Sequence, residues 1–295
     1  MLISIFTVLF PIFTIVMIGY LYARFRSVNI AIINSFTLEV FSPALLFGVL
    51  ADQSFHIIDY QSLVLAATLM VLGSGLIVLP LTRWLGINPK TLIPPMMFVN
   101  AGNMGLPVAL FAFGDIGLSA ATLFLIVVAT LNFTLGIAIV DRNASWFSLL
   151  KLPLFQATIA GLVVSLTPIT IPILLLTPIK MLGACAIPMM LLSLGARLND
   201  IDFTYWKIGL LGAILRPISG ALMFLLVRPW FTLTPLQADA LLIFAVLPPA
   251  VVNYVIAEQY QQEPHKVAAI VMLGNLMSFI SLPIALAFIL NLPVS

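Results

Sequence analysis

Long apolar runs separated by short polar breaks dominate the chain. A helix needs about 20 apolar residues to cross the hydrocarbon core of a bilayer. Ten runs meet or approach that length, at 4–23, 30–51, 61–82, 91–113, 117–140, 152–167, 178–196, 207–228, 236–258 and 266–290. The pattern predicts an all-α integral membrane protein with ten transmembrane helices. The sixth run is short, and the uncharged link after it, PITIPILLLT (168–177), carries prolines that favour an irregular connection at the membrane face. Two runs are interrupted by helix-breaking residues. Residues 98–114 read FVNAGNMGLPVALFAFG, and residues 245–259 read AVLPPAVVNYVIAEQ. Proline removes a backbone donor and glycine loosens the chain, so spans four and nine are expected to be broken near the bilayer centre.

Composition narrows the class. The 295 residues are 62% hydrophobic and 7% charged, where a soluble domain is about 25% charged. A soluble protein of this size cannot cover its surface with so few charges. The net charge of +2 and the lack of a basic run exclude nucleic acid as a partner. The single cysteine, Cys185, excludes an internal disulfide, and its apolar neighbours suggest a packed small residue. The first run lacks the basic start and small-residue cleavage pattern of a signal peptide, and further spans follow it. Basic residues sort onto alternate links. One set holds Arg24, Arg26, Arg83, Lys90, Arg142, Lys151, Arg197, Lys207 and Lys266; the other holds Arg228 and Lys180. The positive-inside rule makes the rich side cytoplasmic and places both termini outside.

The chain also reads as a repeat. A shift of 145 residues brings Pro43 onto Pro188, Gly75 onto Gly220 and Arg83 onto Arg228. Residues 1–140 and 152–295 then form two five-helix repeats, and because five is odd the second is inverted, a plan used by secondary transporters. In this register Pro248 and Pro249 fall at Asn103 and Met104, and Asn253 falls near Pro107. The two broken helices are expected to cross at the midplane. Freed backbone groups cost several kcal/mol each in lipid, so the breaks need a protein-lined or wet environment. Half-helix N-termini suit an anion, and asparagine supplies donors and an acceptor without a buried charge. The candidate substrate-binding residues are Asn100, Gly102, Asn103, Pro107, Pro248, Pro249 and Asn253.

With "GNMGLP" in span four, "LPPAVVNYVIAEQY" in span nine and "SPALLF" in span two, the chain resembles the auxin efflux carrier family, within the wider group that includes bile acid/sodium symporters. The resemblance covers nearly the whole chain. It implies a scaffold part from spans 1, 2, 6 and 7 and a moving transport part from spans 3–5 and 8–10. It also implies an elevator-type motion, organic anions such as auxins and dicarboxylates as cargo, frequent dimers, and a substrate pocket where spans four and nine cross. The short link 141–151 makes the chain look like a bacterial, inner-membrane member without the plant members' regulatory loop, and gives no ground for auxin itself.

Further polar residues lie within the spans. Glu39 is open to a proton-coupling role or a structural one. Arg216 is open to substrate contact, or to pairing with Glu39 or a helix C-terminal carbonyl. Asn132 and Asn275 are expected to bridge to the broken helices. No catalytic constellation is visible. His56 and His265 fall on opposite sides of the membrane and cannot share a metal, so no metal site or cofactor is expected, and H+ and Na+ stay open as coupling ions. The sequence thus points away from an enzyme, to a secondary-active or facilitated transporter of a small organic anion. The alternatives are a sodium-coupled symporter of a bile-acid-like or other organic solute, or a channel or receptor. Expected partners are the anion, membrane lipids and a second copy of the chain.

Overall fold

The computed structural model describes residues 2–27, 29–52, 55, 57–141, 150–200 and 203–291. All regular structure among them is helical. The elements are α1 (Leu2–Phe25), α2 (Ile30–Leu50), α3 (Gln61–Trp84), α4 (Pro89–Met97), α5 (Ala101–Val140), α6 (Pro153–Leu166), α7 (Ile173–Arg197), α8 (Trp206–Val227), α9 (Pro235–Val246), α10 (Val252–Gln259) and α11 (Pro264–Asn291). Seven helices among the described residues are long and apolar enough to cross a membrane, and α6 and α9 are shorter apolar helices. The sequence pattern predicts ten such spans. The shortfall has local causes. Span six has only the 14 residues of α6. Span nine divides into α9 and α10. Span four divides too, and its second part runs into span five, with Gly114 (φ 67°, ψ −153°) as the only reversal between them. That positive φ is a conformation glycine adopts without strain.

The two divided helices end for different reasons. Thr234 caps α9 in a capping box with Gln237, and Pro235 sits in the first turn. The helix stops at Val246 because Leu247 precedes a proline and turns extended (φ −59°, ψ 147°). In span four, Asn88 caps α4 through the Lys90 N–H, and the helix stops at Met97 with Phe98 extended. No glycine or proline stands at 98–100. The break expected around Asn103 and Pro107 therefore lies several residues earlier, and Gly102 to Pro107 belong to the helical segment that follows it.

Packing sorts the helices into two groups. α1 lies along α7, and α2 lies on α6 and α7, while α8 lies on α11, α9 and α3, and α3 on α4. Contacts between the groups are sparser. Close backbone approach holds the first group: a Cβ at Gly19 would collide with the Leu192 carbonyl, and one at Gly195 with the Val16 carbonyl. Small residues at a helix crossing are how membrane helices reach each other. A continuous buried cluster including Ile12, Met70, Met104, Phe124 and Phe244 joins the groups, with Phe124 stacked on Phe244 at 3.9 Å. Large apolar side chains such as Ile3, Phe6, Ile173 and Leu174 are exposed on the outside. Cys185 is exposed too, which corrects the expectation that it is packed: it stands on the outer face of α7 with its Sγ 3.5 Å from the Met181 carbonyl.

The links gather as their charges suggest. Lys90 donates to the Val140 carbonyl (2.8 Å), Asn199 to the Tyr20 carbonyl (3.0 Å), and Tyr205 stacks on His265. Glu263 accepts from Thr91 and Lys266, and these two partners hold its carboxyl below the usual range. A depressed carboxyl stabilises above its ordinary range and loses that contribution as pH falls through the lowered value. In the other set, Lys180 pairs with Asp52 (2.8 Å) and Gln237 donates to the Asp59 carbonyl (3.0 Å). His56 and Arg142 lie outside the described residues.

Replacing Gly195 by valine should force α1 and α7 apart. Overpacking of this kind costs about 1–3 kcal/mol. The expected result is a thermal unfolding midpoint in detergent several degrees below wild type, with Gly48→Ala as a comparison at a helical site where a Cβ would meet only Lys180 Cγ at 3.6 Å, an ordinary contact.

Candidate functional site

The two breaks meet. Val99 and Pro249 form an isolated antiparallel bridge. The Asn100 N–H donates to the Pro248 carbonyl (2.8 Å), and the Ala250 N–H donates to the Phe98 carbonyl (2.9 Å). Side chains complete the crossing. Asn253 Nδ2 donates to the same Phe98 carbonyl (2.9 Å), Asn100 Nδ2 donates to Asn275 Oδ1 (2.9 Å), and Asn275 Nδ2 donates to the Pro249 carbonyl (3.2 Å). Backbone groups that leave the helices at both breaks thus find protein partners, as an apolar interior demands. The paired residues relate the breaks by 150 residues rather than 145. In that register Asn103, not Pro107, stands opposite Asn253.

A cavity of about 210 Å³ opens beside the crossing. Asn100, Gly102, Asn103 and Asn132 line it from one side, Ala250, Val251 and Val252 from the other, and Asn34, Thr37, Met190 and Arg197 from α2 and α7. The segments starting at Ala101 and Val252 therefore both present their first turn to one space. That end of a helix carries partial positive charge, and the first-turn N–H groups of Ala101, Met104, Asn253 and Tyr254 bond to nearby carbonyls. Among the described lining residues Arg197 is the cation, and no carboxylate occurs. Three π-helical turns, Thr37–Phe41, Ala101–Gly105 and Asn132–Gly136, each contribute lining residues. Such turns redirect side chains inside a helix and recur at functional sites.

The expected residues divide accordingly. Asn100, Gly102, Asn103 and Asn132 line the cavity. Pro248, Pro249, Asn253 and Asn275 build the crossing behind it. Pro107 is buried in the first turn of the following helix and does not reach the cavity. Two candidates lie away from the cavity. Arg216 is buried in α8 with Nη1 3.3 Å from the Ala245 carbonyl, so of the roles left open it takes the helix C-terminal carbonyl. Glu39 is exposed on the outside of α2, where its carboxylate accepts from Ser35 Oγ (2.7 Å), two residues on from Thr37, which is buried. The two residues do not pair. Sequence reasoning missed Asn34, Thr37 and Arg197 as lining residues. Asn34, a polar side chain within an apolar run, was the available signal.

A second cavity of about 590 Å³ lies between the same three helices at their other ends, lined by Gly48 of α2 and Asp52 just beyond it, Leu110 and Asp115 of α5, and Lys180 and Pro188 of α7. No group of three or more metal-ligating side chains occurs among the described residues.

This arrangement, an apolar helical body with two interrupted helices crossed beside a polar cavity, is that of a membrane transporter. A family model described as membrane transport protein matches residues 142–286, just under half of the chain, and over that stretch it agrees with the resemblance to auxin efflux carriers read from the sequence. The family is one of transporters, not enzymes. No curated protein matches the chain.

Asn275, on α11, touches both breaks from outside the two interrupted helices. Asn275→Leu should remove its bonds to Asn100 and Pro249, about 1 kcal/mol each. Amide hydrogen exchange at Asn100 and Ala250 should then accelerate about tenfold or more, with exchange in α1 and α7 unchanged.

Proposed function

We propose that the protein is a secondary-active or facilitated transporter of a small organic anion, a carboxylate, working by elevator-type alternating access. The observation that carries this reading is the cavity at the crossing, where the first turns of two helical segments face one space and the described lining residues include no carboxylate. An anion is the ligand that such a space stabilises, since oriented N–H groups and a helix dipole favour negative charge. A cavity of about 210 Å³ suits a molecule of a few carbon atoms. The ten-span inverted repeat remains part of this proposal. It is supported by the antiparallel pairing of two breaks placed alike in the two halves, each between short helical segments.

The elevator motion is supported by the packing. Spans 1, 2, 6 and 7 form one group as the proposed scaffold, and spans 3–5 and 8–10 form the other as the transport part. Both cavities lie on the seam between α2 and α7 on one side and α5 on the other. Sliding the transport part along this seam would carry the crossing from one cavity's end to the other. In this reading the crossing now faces the side of Arg197, the proposed cytoplasmic side. The proposed setting is a bacterial inner membrane, with both termini outside.

A sodium-coupled symporter is the second reading, and one observation favours it. Asn132 Oδ1 and Asn253 Oδ1 are buried without a hydrogen-bond partner, and both residues line one crevice too narrow for a water molecule. Two bare amide oxygens are what a small desolvated cation would need. Lys90 also lines the crevice and opposes it.

Purified protein in liposomes should take up at least one of labelled acetate, lactate, malonate or malate, and neither choline nor glucose. Uptake of choline in place of every carboxylate would end the anion reading. Asn103→Leu should lower uptake about tenfold or more, the loss of a site hydrogen bond to a charged group being worth about 1.5–3 kcal/mol, and Asn253→Leu should lower it by removing the bond to the Phe98 carbonyl that holds the crossing.

Arg197 gives a sharper check. Arg197→Gln should raise the KM for the transported carboxylate several-fold with a smaller change in maximal rate, and Arg197→Lys should keep most of the affinity. Replacing Na+ by choline on both sides should leave uptake unchanged under the first reading and abolish it under the second.

A further inference from the structure

Arg216 is the most conspicuous charge in the molecule that the transport reading does not use. It lies mid-way along α8 and is 2% exposed, the largest of the fully buried side chains. A guanidinium within a membrane protein costs several kcal/mol unless it is paired. Among the described residues no carboxylate lies within 4.0 Å of it. Its Nη1 donates to the Ala245 carbonyl at 3.3 Å, and its Nε has no partner.

The acceptor explains the placement. Ala245 and Val246 are the last two residues of α9, so their carbonyls have no acceptor role within the helix and carry its partial negative charge. Ser281 Oγ takes the Val246 carbonyl at 3.1 Å, and Arg216 takes that of Ala245. Gly220, one turn along α8, makes the approach possible, because a Cβ there would collide with both the Ala245 carbonyl and Arg216 Nη1. The chain leaves α9 at this point and enters the turn whose Pro248 carbonyl and Ala250 N–H pair with residues 98–100.

We propose that Arg216 is the resident counter-charge of the crossing. It neutralises the negative end of α9 and so fixes the start of the turn that holds the two breaks in register. It is a positioning residue, not a substrate contact. The crossing thus holds a built-in cation at a negative helix end, while its positive ends face a cavity whose described lining residues include no carboxylate. Only this last point rests on the proposed function, under which the transported anion completes the charge balance.

The test needs no substrate. Hydrogen exchange at the amides of Asn100 and Ala250 is measured in lipid nanodiscs for wild type, Arg216→Met and Arg216→Lys. Arg216→Met should accelerate both amides about tenfold or more, with α1 and α7 unaffected and with a thermal midpoint no lower than wild type, since a costly buried charge has been removed. Arg216→Lys should stay near wild type. Slow exchange in Arg216→Met, or equal acceleration in Arg216→Lys, overturns the proposal. If Arg216→Met does not fold, Gly220→Ala, which displaces the guanidinium from the Ala245 carbonyl, must show the same acceleration, and slow exchange there overturns it equally. Failure of carboxylate uptake would remove the anion reading while leaving these exchange results as they stand.

Discussion

The structure depends on one constraint: backbone groups released from a helix inside an apolar body must find partners. Both breaks meet it by pairing with each other. Phe98 offers its carbonyl to the Ala250 N–H and to Asn253, and Pro248 offers its carbonyl to Asn100. Neither segment is satisfied alone. A break in only one helix would leave several groups unbonded, at several kcal/mol each. The two interruptions are therefore a single structural unit, although about half the chain separates them.

That dependence explains which parts of the fold were legible in the sequence. The proline pair at 248 and 249 announces the end of α9, because a residue before proline avoids the helical region. The break in span four has no such local signal. Phe98, Val99 and Asn100 are ordinary residues, and their extended conformation is imposed by the strand-like segment opposite. Reading Gly102 to Pro107 as the break followed the visible helix-breakers and set the repeat register five residues off. The glycines have another role: a Cβ at Gly105 would run into Phe244, so this glycine lets the segment pack against α9.

The polar residues divide along the same line. Asparagines at 100, 253 and 275 were recognisable because an amide within an apolar run must find partners. Asn275 was expected to bridge to the broken helices, and it bonds Asn100 and the Pro249 carbonyl. Which backbone carbonyls serve as partners was not recognisable, since they are exposed only by the fold. Arg216 was open to a substrate, to Glu39 or to a helix C-terminal carbonyl. The acceptor is the last of these, the Ala245 carbonyl, and which helix end it would be has no signature in residue type. Glu39 stands two residues from Thr37, on the opposite face of the helix, so with Thr37 buried it lies outside.

Charge at the crossing ties these observations to selectivity. Antiparallel broken helices bring like ends together: two N-terminal turns face the cavity, and the end of α9 lies behind it. Like ends repel unless something compensates them. At α9 the compensation is permanent, by Arg216 and Ser281. On the cavity side the described lining residues offer amides and two helix first turns but no carboxylate. A resident carboxylate there would satisfy the helix ends and remove the reason for an anion to bind. Under the proposed function the cargo fills that deficit and then vacates it. A carrier needs that property, because a site satisfied from within has nothing to gain from its cargo.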